Sequence, residues 1–172
     1  MTKKELIFWA FFFILVLIRP ALHIDAIFVL FVGFLLSNFY FLFSFFILNE
    51  IKLRHMFKAR SYQHVSSGRI VKSAIIGLVY SLACMAILFH VLTWPGSMVM
   101  LFMALVGLFV LFFITRIKNK RSPNQFYKNI NLRNVFFIVI CLVLGLTFLL
   151  PEPIQNRIFP LKGKENMTAM TN

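Results

Sequence analysis

Residues 26–48 read AIFVLFVGFLLSNFYFLFSFFIL, with no formal charge anywhere in the run. A helix of about 20 mostly apolar residues crosses the hydrocarbon core of a bilayer. This segment is long enough, and its polar residues are limited to Ser37, Asn38 and Ser44 and to Tyr40, which carries one hydroxyl. Working outward, Ser73–Leu92, Ser97–Thr115 and the shorter Val135–Leu150 are likewise uncharged, the last closed by Pro151. On the N-terminal side, Leu6–Ile18 are wholly apolar but Arg19-Pro20 follow at once. Adding Ala21 and Leu22, with Arg19 snorkelling to the interface, gives a span of about 6–22. Lys3 and Lys4 before an apolar run also resemble a signal peptide, yet Arg19-Pro20 occupy the place of a small-residue cleavage site. The sequence therefore predicts an all-α polytopic membrane protein of five spans, or four if the first does not cross.

Composition agrees. Of 172 residues, 60% are hydrophobic and only 13% charged, with 23 phenylalanines. A soluble domain averages about 45–50% apolar and about 25% charged. So few charges cannot cover so much apolar surface in water. A soluble enzyme, a disordered tail and a disulfide-rich secreted domain are excluded. The net charge of +13 would suit nucleic acid, but the basic residues fall at the ends of apolar runs and in their connections, as membrane topology demands. No nucleic-acid partner is expected.

Those residues also give an orientation. With the N-terminus inside, the cytoplasmic side holds Lys3, Lys4, the loop residues Lys52, Arg54, Lys58, Arg60, Arg69 and Lys72, and then Arg116, Lys118, Lys120, Arg121, Lys128 and Arg133. Only Arg19, Arg157, Lys162 and Lys164, four of the 18 Lys and Arg, remain outside. The positive-inside rule selects this arrangement. It gives a single transmembrane domain over 1–150 and an external tail over 151–172. In the first inside loop, Ile51, Leu53, Met56 and Phe57 interleave with basic residues. This reads either as a short helix on anionic inner-leaflet lipids or as a solvated topogenic loop. Ser122-Pro123-Asn124 reads as a turn in the second loop.

Chemistry is sparse. The acids Glu5, Asp25, Glu50, Glu152 and Glu165 all lie outside the expected spans. An ion-motive protein normally carries a carboxylate at membrane depth. No phosphate-cradling glycine loop and no metal-ligand spacing is found, so neither cofactor nor metal is expected. Cys84 and Cys141 fall within spans, where a thiol packs as a small apolar group. The polar candidates are Arg19, His23, Asp25 and His90 toward the outer face, and Asn38 in the second span as an interhelical hydrogen-bond donor. The histidines suit acid–base work or pH sensing, or simply interfacial hydrogen bonding.

Small residues predict where helices meet. Ser73, Gly77 and Ser81 recur every fourth residue, and Ala104 and Gly107 form a shorter ridge on the next span. Such ridges let backbones approach closely in lipid. Because only a short turn joins these spans, the ridges are expected to face one another in an antiparallel hairpin. Trp94 anchors that turn at the interface, Pro95 stops the helix and Gly96 permits the reversal.

The stretch Leu88-Phe89-His90-Val91-Leu92-Thr93-Trp94-Pro95-Gly96, followed by an apolar helix, resembles the first periplasmic turn of the GldL/PorL family, inner-membrane stators of the gliding and type IX secretion motor of Bacteroidota. That family carries Phe-Lys-x-x-His-Trp-Pro-Gly. Trp94, Pro95 and Gly96 agree, whereas His90 and Thr93 replace the family's lysine and histidine. The resemblance covers residues 88–115 and implies a shared hairpin and a bacterial inner membrane. The family's proton-conducting glutamate has no counterpart in Ser97–Thr115, so motor function does not transfer. The expected role is a non-enzymatic subunit or interaction partner in a membrane complex. The alternatives are an oligomeric channel or transporter subunit, and an enzyme on lipid-linked substrates at the outer face.

Overall fold

A computed structural model describes residues 3–22, 26–49, 51, 66–121 and 123–147. Among them the regular structure is all helix: α1 (Lys3–Leu22), α2 (Ala26–Leu48), α3 (Ser67–Val91), α4 (Ser97–Arg121) and α5 (Gln125–Thr147). Helices α2 to α5 are each long and apolar enough to span a membrane. The apolar part of α1, Glu5–Val16, is shorter. The protein is an integral membrane protein by this criterion. The expected basic helix in 52–65, the tail 151–172, His23 and Asp25 lie outside the described residues.

Helix ends differ from the sequence reading. α4 runs on to Arg121 and α5 starts at Gln125, so most of what reads as a loop over 116–134 is helix. Two devices allow this. Lys118, Lys120 and Arg121 sit in the last turn of α4, where cations complement the helix dipole. Asn124 Oδ1 accepts the Phe126 N–H at 3.0 Å and so starts α5 as an N-cap. Charge marks the limit of hydrocarbon, and a helix is free to project beyond it.

The closest helix pair is α2 with α3, running antiparallel. A Cβ on Gly33 would meet Leu88 Cδ1 at 2.5 Å. One turn along α2, Ser37 Oγ lies 3.1 Å from the Ser81 carbonyl and 2.7 Å from Ser81 Oγ. Further in, Ser44 Oγ donates to the Ser73 carbonyl at 3.2 Å, and Asn49 Nδ2 donates to Ser73 Oγ at 3.0 Å. Gly77 lies between these bonds, where an added Cβ would collide with Ser44 Oγ and sit 3.0 Å from the Tyr40 carbonyl. The ridge Ser73–Gly77–Ser81 therefore packs on α2, which corrects the expectation that it faces α4. The physical reason is complementarity of small groups: α2 offers Gly33, Ser37 and Ser44 at matching heights, whereas α4 offers only Ala104 and Gly107.

Helix α4 packs less closely. Ala104 is buried, but a Cβ on Gly107 would meet Val79 Cγ1 at an ordinary 3.6 Å. Thr115 Oγ1 reaches Asn131 Oδ1 on α5. A broad face of α4, including Phe102, Met103, Val110 and Phe113, stays exposed, as a lipid-facing helix requires.

The α3–α4 turn is a Schellman-type cap. Thr93 N–H bonds to the His90 carbonyl and Trp94 N–H to the Phe89 carbonyl, both at 3.0 Å. Thr93 takes φ 55 and Gly96 φ 79, so the reversal uses a left-handed residue at each end. Trp94 rests edge-on against Phe89 with centroids 4.7 Å apart. A β-branched residue with positive φ is strained. Thr93→Gly is therefore expected to raise stability by about 1 kcal/mol, read as a higher melting temperature in detergent. A lower one would mean that the Thr93 Oγ1 bond to the Leu92 carbonyl, 2.7 Å, outweighs the strain.

Candidate functional site: a buried ion pair

The first helix owes its place to one face. Glu5, Trp9, Phe12 and Leu15 recur at helical spacing and are all buried, while Leu6, Ile7, Phe11 and Ile14 are exposed. On α5 the matching face is Ile130, Arg133, Phe137, Cys141 and Leu144. The two faces meet at a bidentate ion pair. Arg133 Nε donates to Glu5 Oε1 and Arg133 Nη2 to Glu5 Oε2, each at 3.0 Å. The side chains are 3% and 2% exposed, so both charges have left water. Arg133 Nη1 also approaches the Asn129 carbonyl at 3.4 Å. The fork of the guanidinium matches the two carboxylate oxygens in direction as well as charge.

Aromatic rings surround the pair. Trp9 Nε1 donates to Tyr40 Oη at 3.0 Å. Tyr80 stacks on Phe137, with centroids 5.0 Å apart and an interplanar angle of 12°, and its hydroxyl donates to the Ile130 carbonyl at 3.2 Å. Tyr40 meets Tyr80 edge-on at 5.8 Å and Phe137 at 5.3 Å. A narrow gap beside Arg133 is lined by Tyr40, Ser44, Leu48 and Tyr80. The centre thus joins α1, α2, α3 and α5. Next to it in the chain, Asn134 is 0% exposed, and among the described residues neither of its amide atoms has a hydrogen-bond partner.

This centre corrects two readings. Glu5 reads as a flanking acid outside the spans, and Arg133 as a topogenic loop charge; instead they are enclosed together, 128 residues apart in the chain. Their charge conceals them from a rule that equates charge with exposure. The signal that could have found them is periodicity: each occupies the place of an apolar residue on a buried helical face.

The other polar candidates are dispersed. His90 is buried on α3, and its Nε2 lies 2.8 Å from Thr147 Oγ1 on α5. Thr147 directs its own hydroxyl hydrogen to the Leu144 carbonyl at 2.6 Å, so His90 Nε2 is the donor in that bond. The backbone at Arg19 belongs to α1. Asn38 Nδ2 donates to the Phe34 carbonyl of its own helix at 2.9 Å. This corrects the expectation that Asn38 bonds between helices; Ser37, one residue earlier, does so because it faces α3. Trp94, Pro95 and Gly96 are exposed at the turn. Cys84 and Cys141 are buried free thiols.

Chemically, the centre is a clasp that ties the first helix to the last and holds a carboxylate inside the bundle. Neither the family models nor the curated proteins nor the solved structures contain a match to this chain.

Proposed function

We propose that the chain is a non-enzymatic subunit of a complex in a bacterial cytoplasmic membrane, with its N-terminus inside and its C-terminus outside. One observation supports this reading: several polar side chains in the bundle are spent on bonds across helices. Ser37 with Ser81, Ser44 with the Ser73 backbone carbonyl, Trp9 with Tyr40, His90 with Thr147 and Glu5 with Arg133 all join different helices. Bonds of this kind fix the shape of a bundle in lipid. Because α2 consumes the small-residue ridge, contact with a partner falls instead to the bulky outer faces of α2 and α4 and to the tail. The resemblance of the turn to GldL/PorL extends this proposal to a shared hairpin only.

Gentle solubilisation followed by mass analysis tests the role. A stable heteromeric partner is the expected result, and a protein recovered only as free monomer overturns it. For the orientation, a C-terminal alkaline phosphatase fusion should be active and a C-terminal green fluorescent fusion dark.

Asn134 favours a second reading, an oligomeric channel or transporter subunit. A buried amide without partners costs about 1–3 kcal/mol, which a role in passing an ion or solute would justify. Asn134→Leu separates the two. If the protein is a structural subunit, the variant should melt at a higher temperature, gaining about 1 kcal/mol, and keep its partner. If it is a transporter, the variant should abolish a flux that the wild type supports in liposomes.

A further inference from the structure

At the end of the bundle where α2 stops and α3 and α5 begin, Leu48, Asn49, Arg69, Asn124, Gln125 and Phe126 line a half-open cavity of about 110 Å³. A water occupies about 30 Å³ in the liquid, so the space suits a larger polar group. Its walls are chemically uneven. Arg69 supplies a cation, with its guanidinium 5.8 Å from the Phe126 ring centroid. No acidic residue stands in the first turn of α3 or α5, and only α5 has a side-chain cap, from Asn124. Ser66 makes no side-chain cap, which leaves the first N–H groups of α3 without that partner.

The opposite wall has the reverse need. Asn49 spends its NH2 group on the Phe45 carbonyl at 2.9 Å and on Ser73 Oγ at 3.0 Å. Those bonds fix the amide, and its Oδ1 is left buried with no donor among the described residues. A bare anion would satisfy Arg69 but face Asn49 Oδ1 with another acceptor. Water would satisfy Asn49 and hydrate the partly exposed Arg69 without neutralising its charge. A group with anionic oxygens and an adjacent O–H or N–H satisfies both walls. The cavity lies at the end of membrane-spanning helices, which is the level of phospholipid headgroups.

We propose that this cavity binds the headgroup of a phospholipid that carries a phosphodiester and a hydrogen-bond donor, such as phosphatidylglycerol. The phosphate pairs with Arg69, and the headgroup hydroxyl donates to Asn49 Oδ1. The site is independent of whether the protein is a structural subunit or a transporter.

The test is native mass spectrometry of the full chain in detergent, titrated with dioctanoyl phosphatidylglycerol, dioctanoyl phosphatidylcholine and inorganic phosphate. The wild type should retain one phosphatidylglycerol. Arg69→Gln should weaken it by about tenfold, with an unchanged melting temperature showing that the fold survives. Phosphatidylcholine, whose quaternary ammonium cannot donate, should bind more weakly, and inorganic phosphate more weakly still. Equal retention of phosphatidylglycerol by Arg69→Gln overturns the site. Equal binding of phosphatidylcholine overturns the role of Asn49. Inorganic phosphate binding as tightly as the lipid overturns the headgroup assignment in favour of a free anion.

Discussion

Arg133→Met is expected to destabilise the protein by about 3–5 kcal/mol, the cost of leaving a buried partner charge uncompensated. Glu5 would then sit in the bundle, nearly without solvent, facing a thioether in place of two N–H donors at 3.0 Å. In lipid the orphaned carboxylate has little water to turn to, so it must be protonated or α1 must leave the bundle. Glu5→Leu alone should cost a similar amount, because the guanidinium is then the orphan. The double replacement Glu5→Leu/Arg133→Met should recover most of the loss, since an apolar pair of similar volume asks for no compensation. Melting curves in detergent for the two single variants and the double variant form a mutant cycle. If the single losses simply add in the double variant, the two residues are not coupled and the clasp does not operate. Recovery of stability together with loss of partner binding would assign the pair a functional role beyond the fold.

Replacing Gly77 is expected to have the other large effect. Even the first carbon of a side chain would overlap Ser44 Oγ, and it would lie 2.7 Å from Ser44 Cβ and 3.0 Å from the Tyr40 carbonyl. Backbone cannot give way as a flexible side chain can. Gly77→Ala should therefore cost about 1–3 kcal/mol through overpacking, and Gly77→Leu more. Separating α2 from α3 also breaks the Ser44–Ser73 and Ser37–Ser81 bonds, so the loss should spread along the pair. Gly107→Ala is the matched control. Its Cβ would make only an ordinary contact with Val79, and the gain in helix propensity of about 0.5–1 kcal/mol should leave it neutral or stabilised. Partial rescue of Gly77→Ala by Ser44→Gly would locate the clash. Unchanged melting of Gly77→Ala would mean that the α2–α3 contact is looser than the geometry requires.

These two sites differ in how far the sequence discloses them. Gly77 is legible as a contact residue, because small groups every fourth position signal close approach. Its partner helix is not legible. Chain proximity favours α4, which is joined by a short turn, yet a turn fixes adjacency and says nothing about which face is turned inward. The complementary heights of Gly33, Ser37 and Ser44 decide for α2. Asn38 and Ser37 make the same point at a smaller scale. Both are polar in an apolar run, and one residue of rotation, about 100° on a helix, separates a bond across to α3 from a bond to the residue's own turn.

By itself, the sequence determines the solvent of this protein and the elements that solvent demands. Long uncharged runs such as 26–48 cannot be hidden in a chain with 13% charged residues, and in lipid the backbone must satisfy itself as helix. Turn chemistry marks the reversal at Trp94–Gly96 as well, although the left-handed strain at Thr93 is invisible without φ. Only the tertiary structure decides the fate of the charges. Glu5 and Arg133 look like surface residues because an isolated charge belongs in water, and the cost of removing one is prohibitive when it is considered alone. The cost becomes tolerable only when a partner with matching geometry arrives, and that partner lies at the far end of the chain. No local pattern encodes a match across 128 residues, so the clasp exists only once the helices have packed.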